Sequence, residues 1–270
     1  MLLKIQEAVN FISSKISSKP KNGIILGTGL GNLVTEITEK IEIPYEQIPN
    51  FPISTVEGHS GKMIFGKLGG VEVLAMQGRF HYYEGYDMKQ VTFPVRVMAA
   101  LGINTLLVSN ASGGVNPDFE IGDLMIITDH INHFPEHPLR GKNLDELGTR
   151  FPDMGEAYSL DLISKAKDIA QKNNIKVVEG VYLGTSGPTF ETPAEYRFFR
   201  TIGADAVGMS TVPEVIVAKH AGMRCFGISI ISDLGVPGKI VEITHEDVQR
   251  IGNSVQPLMT LIMRELISEQ

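Results

Sequence analysis

The chain has 270 residues, 43% of them hydrophobic, and a formal net charge of −7. That length supports a full core in one large α/β domain or two small ones. The acidic balance argues against a nucleic-acid-binding face, which needs clustered basic residues, and no apolar run approaches the ~20 residues of a membrane span.

The N-terminus shows no signal-peptide pattern. Leu2, Ile5, Val9, Ile12 and Ile16 recur at helical spacing and predict a packed amphipathic helix over 3–17. Further helices are predicted over 30–39, 88–101, 157–172, 193–202, 212–222 and 245–268, with Pro94 as a kink in the second of these. Strands are predicted over 23–26, 41–44, 62–67, 71–76, 105–109, 123–128, 176–183, 204–209 and 224–231. This alternation predicts an α/β fold with a mainly parallel or mixed sheet between helices. Residues 129–156 have few periodic apolar positions and hold three His and three Pro. A long irregular stretch in a compact domain is usually functional or an interface.

Polar and small residues collect at the predicted strand ends, where open α/β sheets bind ligands. Gly27-Thr28-Gly29-Leu30-Gly31 follows the first strand and reads either as an anion site at a helix N-terminus or as a tight turn. It lacks the third glycine of a dinucleotide fingerprint, having Asn32 there. Gly58-His59-Ser60-Gly61 comes next. Arg79 and His81 then follow the strand over 71–76, with Tyr82, Tyr83 and Tyr86 close behind. Arginine offers a planar fork for oxyanions, although a strand-end turn with surface Arg and His fits equally well. Small residues over 108–114 allow a ligand to approach the backbone closely.

Residues 184–214 read as turn, helix, strand, turn, helix. Thr192, Pro193 and Glu195 spell a capping box with proline in the first turn, and Thr211 with Glu214 spells a second box. Glu191 precedes the first helix, and Met209 and Ser210 close the intervening strand. Cys225, the only cysteine, starts an apolar strand and reads as a buried small residue. Its solitude fits a reducing cytosol and a cytoplasmic protein. Asp233 at the end of that strand is a turn-former or a polar contact in a pocket, and His245 opens the final helix as a solvated residue or a ligand contact. The seven histidines are not at metal-ligand spacing, HExxH is absent, and no metal is expected. No GxSxG nucleophile elbow occurs.

Taken together, these motifs resemble those of the trimeric purine nucleoside phosphorylases. The likeness runs through Gly27–Gly31, Gly58–Gly61, Gln77-Gly78-Arg79-Phe80-His81, Tyr83-Glu84-Gly85-Tyr86, Thr92-Phe93-Pro94-Val95-Arg96, Asn110-Ala111, Asp129-His130-Ile131-Asn132, Gly187-Pro188-Thr189-Phe190-Glu191-Thr192 and Gly208-Met209-Ser210-Thr211-Val212-Pro213-Glu214. It spans nearly the whole chain. It implies a single α/β domain over 1–270, with a mixed central sheet that curls into a distorted barrel flanked by helices.

The resemblance also implies a pentosyltransferase of purine salvage. It would convert purine ribonucleosides or deoxyribonucleosides and phosphate to free base and (deoxy)ribose 1-phosphate. Phosphate is then a co-substrate, no cofactor is needed, and the assembly is a homotrimer. The resemblance places Thr28, His59, Arg79, His81, Ser210 and the backbone of Ala111 around phosphate. It places Tyr83, Met209 and His245 at ribose, with Phe151 reaching into a neighbouring subunit's sugar pocket. Phe190, Glu191, Val207, Gly208 and Asp233 would hold the base, and His81, Glu191 and Asp233 would carry the chemistry. Two positions depart from the pattern. Thr28 stands where the family usually has serine and keeps the hydroxyl. Ser232-Asp233 stands where the 6-oxopurine enzymes usually carry Thr-Asn, and methylthioadenosine phosphorylase, which prefers 6-aminopurines, carries an aspartate there. Glu191 favours inosine and guanosine; Asp233 gives the alternative of 6-aminopurine nucleosides. A dinucleotide-dependent oxidoreductase would leave Glu191 and Met209 without a role, and a non-catalytic nucleoside-binding protein would show no phosphate-dependent turnover.

Overall fold

Continuous apolar runs make strands that are covered on both faces. The strand β1 (Asn22–Leu26) is buried at every position, and β5 (Thr105–Gly114) is buried at all but one. These two lie at the middle of the sheet in a computed structural model that describes residues 1–27, 30–53 and 61–269. Around them stand β2 (Thr38–Pro44), β3 (Lys62–Leu68), β4 (Val71–Gln77), β6 (Leu124–Asn132), β7 (Val177–Gly184), β8 (Ala206–Gly208) and β9 (Arg224–Leu234). The order is β2-β3-β4-β1-β5-β8-β7-β6-β9, and β9 also pairs with β5. That extra ladder closes β5, β8, β7, β6 and β9 into a five-stranded barrel. The sheet is mixed: β1 is parallel to β4 and β5, and β5 to β9, whereas β5–β8 and β6–β9 are antiparallel.

Seven helices flank it among the described residues: α1 (Leu2–Ser13), α2 (Met88–Val91), α3 (Phe93–Ala100), α4 (Leu160–Lys172), α5 (Pro193–Thr201), α6 (Val212–His220) and α7 (His245–Ser268). One large apolar core unites α1, the sheet and α7. A small satellite of Val115, Leu183, Tyr196, Phe199, Ala204 and Val207 lies under α5.

Several predicted boundaries move. The helix expected over 30–39 is a 3₁₀ turn at Gly31–Glu36, because the chain from Thr38 onward is drawn into the antiparallel ladder with β3. The helix over 3–17 stops at Ser13, where the Ser14 hydroxyl takes the Phe11 carbonyl. The helix over 88–101 is two helices broken at Thr92, whose hydroxyl bonds Met88 O at 2.7 Å, with Pro94 in the first turn of the second. The helix over 157–172 begins only at Leu160, and the strand over 204–209 pairs only through Ala206–Gly208.

The strands β5, β6 and β9 extend past their predicted ends to Gly114, Asn132 and Leu234. Residues 110–114, 129–132 and 232–233 are therefore strand, not loop. The β5–β9 register shifts between Ser112 and Gly113. Such an irregularity at a barrel rim re-aims the side chains beside it.

A candidate active site at the barrel rim

One cleft of about 500 Å³ opens beside that register shift. It is walled by residues following β4, by the distal half of β5, by the chain leaving β8, by the end of β9, by the loop before α5 and by the start of α7. Arg79, His81, Tyr83, Ala111, Phe190, Glu191, Val207, Gly208, Met209, Ser210, Asp233 and His245 all face it. Twelve positions scattered over 167 residues of sequence are thus brought together by the strand order. Phe151 lies elsewhere: it is 85% exposed and borders a second cleft with His130, His137 and Arg150. Thr28 and His59 lie outside the described residues.

Arg79 is the largest fully buried side chain. Its Nε and Nη2 donate to the two carboxylate oxygens of Glu214 at 3.0 and 2.7 Å, and Nη1 donates to Ser109 O. Three of its nitrogens therefore each place one hydrogen inside the protein. The second predicted capping box does not form: Glu214 turns to Arg79, and Thr211 makes no cap hydrogen bond. Thr211 instead adopts φ 67°, a costly conformation for a β-branched residue. The predicted box at Thr192 and Glu195 is present, with both reciprocal bonds, and fixes the helix start just after Glu191.

The conformation of Thr211 is held by a polar chain. Asn110 Nδ2 donates to Thr211 Oγ1 at 2.8 Å, and the Ser210 and Thr211 hydroxyls are 3.2 Å apart. The Ser229 hydroxyl donates to Asn110 Oδ1 at 2.6 Å. Its hydrogen being spent there, the Ser112 hydroxyl donates to Ser229, also at 2.6 Å. This buried chain orients Ser210 at the cleft wall. Ser229 belongs to none of the motifs read from the sequence; its one signal there is a serine within an otherwise apolar strand.

His81 stacks on Tyr83 with ring centroids 4.7 Å apart and meets Glu84 Oε1 through Nδ1 at 3.1 Å. Burial pulls its pKa down, against the opposing pull of Glu84. Burial also pushes the Tyr83 hydroxyl up to about 12. Glu191 is pushed up to about 7, first by burial and then by the charge of Asp233. Asp233 is raised by burial too, although Ser232 Oγ donates to its Oδ1 at 2.8 Å. The cleft thus holds two carboxyl groups that resist being ionised together. Among the described residues, no group of His, Cys, Asp and Glu is placed to hold a metal ion, and no helix is long and apolar enough to cross a membrane.

Residues 21–268 match the phosphorylase superfamily. Purine nucleoside phosphorylase 1 of Bacillus subtilis is 52% identical over 266 residues, covering 98% of each chain. The chain belongs to the purine nucleoside phosphorylase family. The Bos taurus member is 46% identical over 97% of this chain and 94% of its own. In structure, Schistosoma mansoni purine nucleoside phosphorylase in complex with inosine superposes with a TM-score of 0.93 at 40% identity, covering all of this chain and 97% of that one. The same enzyme in complex with adenosine gives 0.94, at 40% identity and over 99% and 97% of the two chains. The family relation and the five-stranded barrel agree with the fold class expected from the sequence.

Proposed function

We propose that the chain catalyses the phosphorolysis of purine nucleosides, yielding free base and ribose 1-phosphate or its deoxy counterpart. The observation that carries this is one cleft lined both by anion-binding groups and by paired carboxyls beside an aromatic wall. Arg79, His81, Ser210 and the Ala111 backbone would take phosphate, with Thr28 and His59 added from the family pattern. Tyr83, Met209 and His245 would border the sugar. Phe190, Val207 and Gly208 would wall the base, with Glu191 and Asp233 at its polar edge.

Cleavage of the glycosidic bond builds positive charge on ribose and negative charge on purine. Phosphate held beside the sugar supplies both nearby negative charge and the attacking oxygen, and its placement replaces a bimolecular encounter. A donor at the purine edge relieves the leaving base. Glu191 as carboxylate accepts the N1 hydrogen of hypoxanthine or guanine, and Asp233 as the neutral acid donates to N7 or O6. Adenine has a lone pair at N1 and leaves an ionised Glu191 unpaired, a loss of about 1–3 kcal/mol. Inosine and guanosine are therefore preferred over adenosine. Phosphate is a co-substrate and no cofactor takes part.

A homotrimer is proposed as the working assembly, with the exposed Phe151 covering a neighbour's sugar site. The setting proposed is the reducing cytoplasm, in keeping with the single buried cysteine. The test is base release from inosine, guanosine and adenosine in parallel, with and without phosphate. Release that needs phosphate and is fastest with the first two supports the reading. Release from none of them refutes it.

A further inference from the structure

Tyr196 is absent from the motifs that the sequence singles out. It lies on α5, one turn beyond the capped start that follows Glu191, and is 4% exposed. Its hydroxyl is 3.5 Å from Asp233 Oδ2 and faces Glu191, whose carboxyl lines the same cleft as Asp233. Two glycines make room for this arrangement. A Cβ on Gly235 would lie 2.3 Å from Tyr196 Cδ1, and one on Gly113 would lie 2.9 Å from Asp233 Oδ2. The ring and the carboxyl are thus seated where only glycine leaves space.

A phenol has one hydrogen and cannot donate to two carboxylates at once. We propose that Tyr196 is a positioning residue: it shares its hydroxyl hydrogen between Glu191 and Asp233, so that the pair holds one carboxyl proton whose placement decides which purine edge is read. This rests on the phosphorylase reading above. With the proton on Asp233, Glu191 accepts from N1 and Asp233 donates, which suits a 6-oxopurine. With the proton on Glu191, that carboxyl donates to N1 and Asp233 accepts from the amino group, which suits a 6-aminopurine. Interchange needs no outside acid: Tyr196 gives its hydrogen to one carboxylate as it takes one from the other, and the net charge stays the same. The other groups facing the pair are Glu195 from α5, Ser232 from β9 and His245 from α7. Arg79, His81 and Glu84 line the same cleft.

Both placements contain the same number of protons. The pH profiles of kcat/KM for inosine and adenosine should therefore superimpose, although adenosine turns over more slowly. Tyr196 stabilises the first carboxylate to form and adds nothing for the second, since its one hydrogen is already used. Tyr196→Phe should therefore move the acid limb upward by about one pH unit for both substrates and leave the alkaline limb in place. A second variant, Asp233→Asn, cannot share the proton; adenosine kcat/KM should fall at least about tenfold relative to inosine. Phosphorolysis by Tyr196→Phe with an unmoved acid limb would overturn the role of Tyr196 alone. So would wild-type profiles for the two nucleosides that run in opposite directions. No turnover of either nucleoside by the wild-type enzyme would instead sink the phosphorylase reading beneath it.

Discussion

Removing the Glu214 carboxylate should damage this protein more than its distance from any substrate suggests. Its side chain is 4% exposed and that of Arg79 is 1% exposed. The pair is bidentate, at 2.7 and 3.0 Å. Taking away one partner leaves the other buried and uncompensated, which typically costs about 3–5 kcal/mol. For a chain of this size that is a fall in Tm on the order of 10 °C. Glu214→Gln keeps one carbonyl acceptor but loses the charge, and should cost about 1.5–3 kcal/mol. Differential scanning fluorimetry of wild type, Glu214→Gln and Glu214→Ala at one protein concentration should rank them in that order. Saturating phosphate should narrow the gap for Glu214→Ala, because an anion in the cleft re-pairs the guanidinium. A Glu214→Ala protein that melts within about 2 °C of wild type would refute the reasoning.

Arg79→Lys keeps a positive charge but loses the planar fork, and should raise the KM for phosphate at least about tenfold with a smaller change in the KM for inosine; steady-state kinetics with each substrate varied in turn decides this. Glu191 has a folded pKa of about 7, above its ordinary value of 4.5, so it binds its proton more tightly in the folded state. Its contribution to stability is therefore lost as pH rises from about 4.5 to about 7, and Glu191→Gln should raise Tm relative to wild type more at pH 8 than at pH 5. Phe151→Ala should raise the nucleoside KM about tenfold or more, because the ring that is exposed on one chain would no longer cover the neighbour's sugar site. Light scattering should give three chains, and a fully active monomer would count against the shared sugar site.

The fold class was legible because buried strands and capped helices are local patterns. Thr192, Pro193 and Glu195 announce α5 by chemistry confined to four residues. The strand-end residues were legible for a similar reason: Arg79, Ser210 and Asp233 are polar residues that follow apolar runs. What stayed hidden depends on pairing across the sheet. Glu214 reads as the far half of a capping box, yet Arg79, 135 residues earlier, offers it two charge-assisted bonds. Ser229 sits in an apolar run and Tyr196 between Glu195 and Arg197 on a helix, and only the β5–β9 register and the packing of α5 on Gly235 reveal what they touch. The 3₁₀ turn at Gly31–Glu36 has the same origin, since local helical preference lost to strand pairing from Thr38.

The central claim is that phosphate, and not water, attacks the sugar. Incubation with inosine and ¹⁸O-labelled phosphate, followed by ³¹P NMR and mass analysis of the products, tests it most directly. The account predicts hypoxanthine and ribose 1-phosphate in equal amounts, with all four oxygens on phosphorus, the one bridging to the anomeric carbon included, carrying the label of the added phosphate. Free ribose with unlabelled oxygen at its anomeric carbon would show hydrolysis by water and contradict the account.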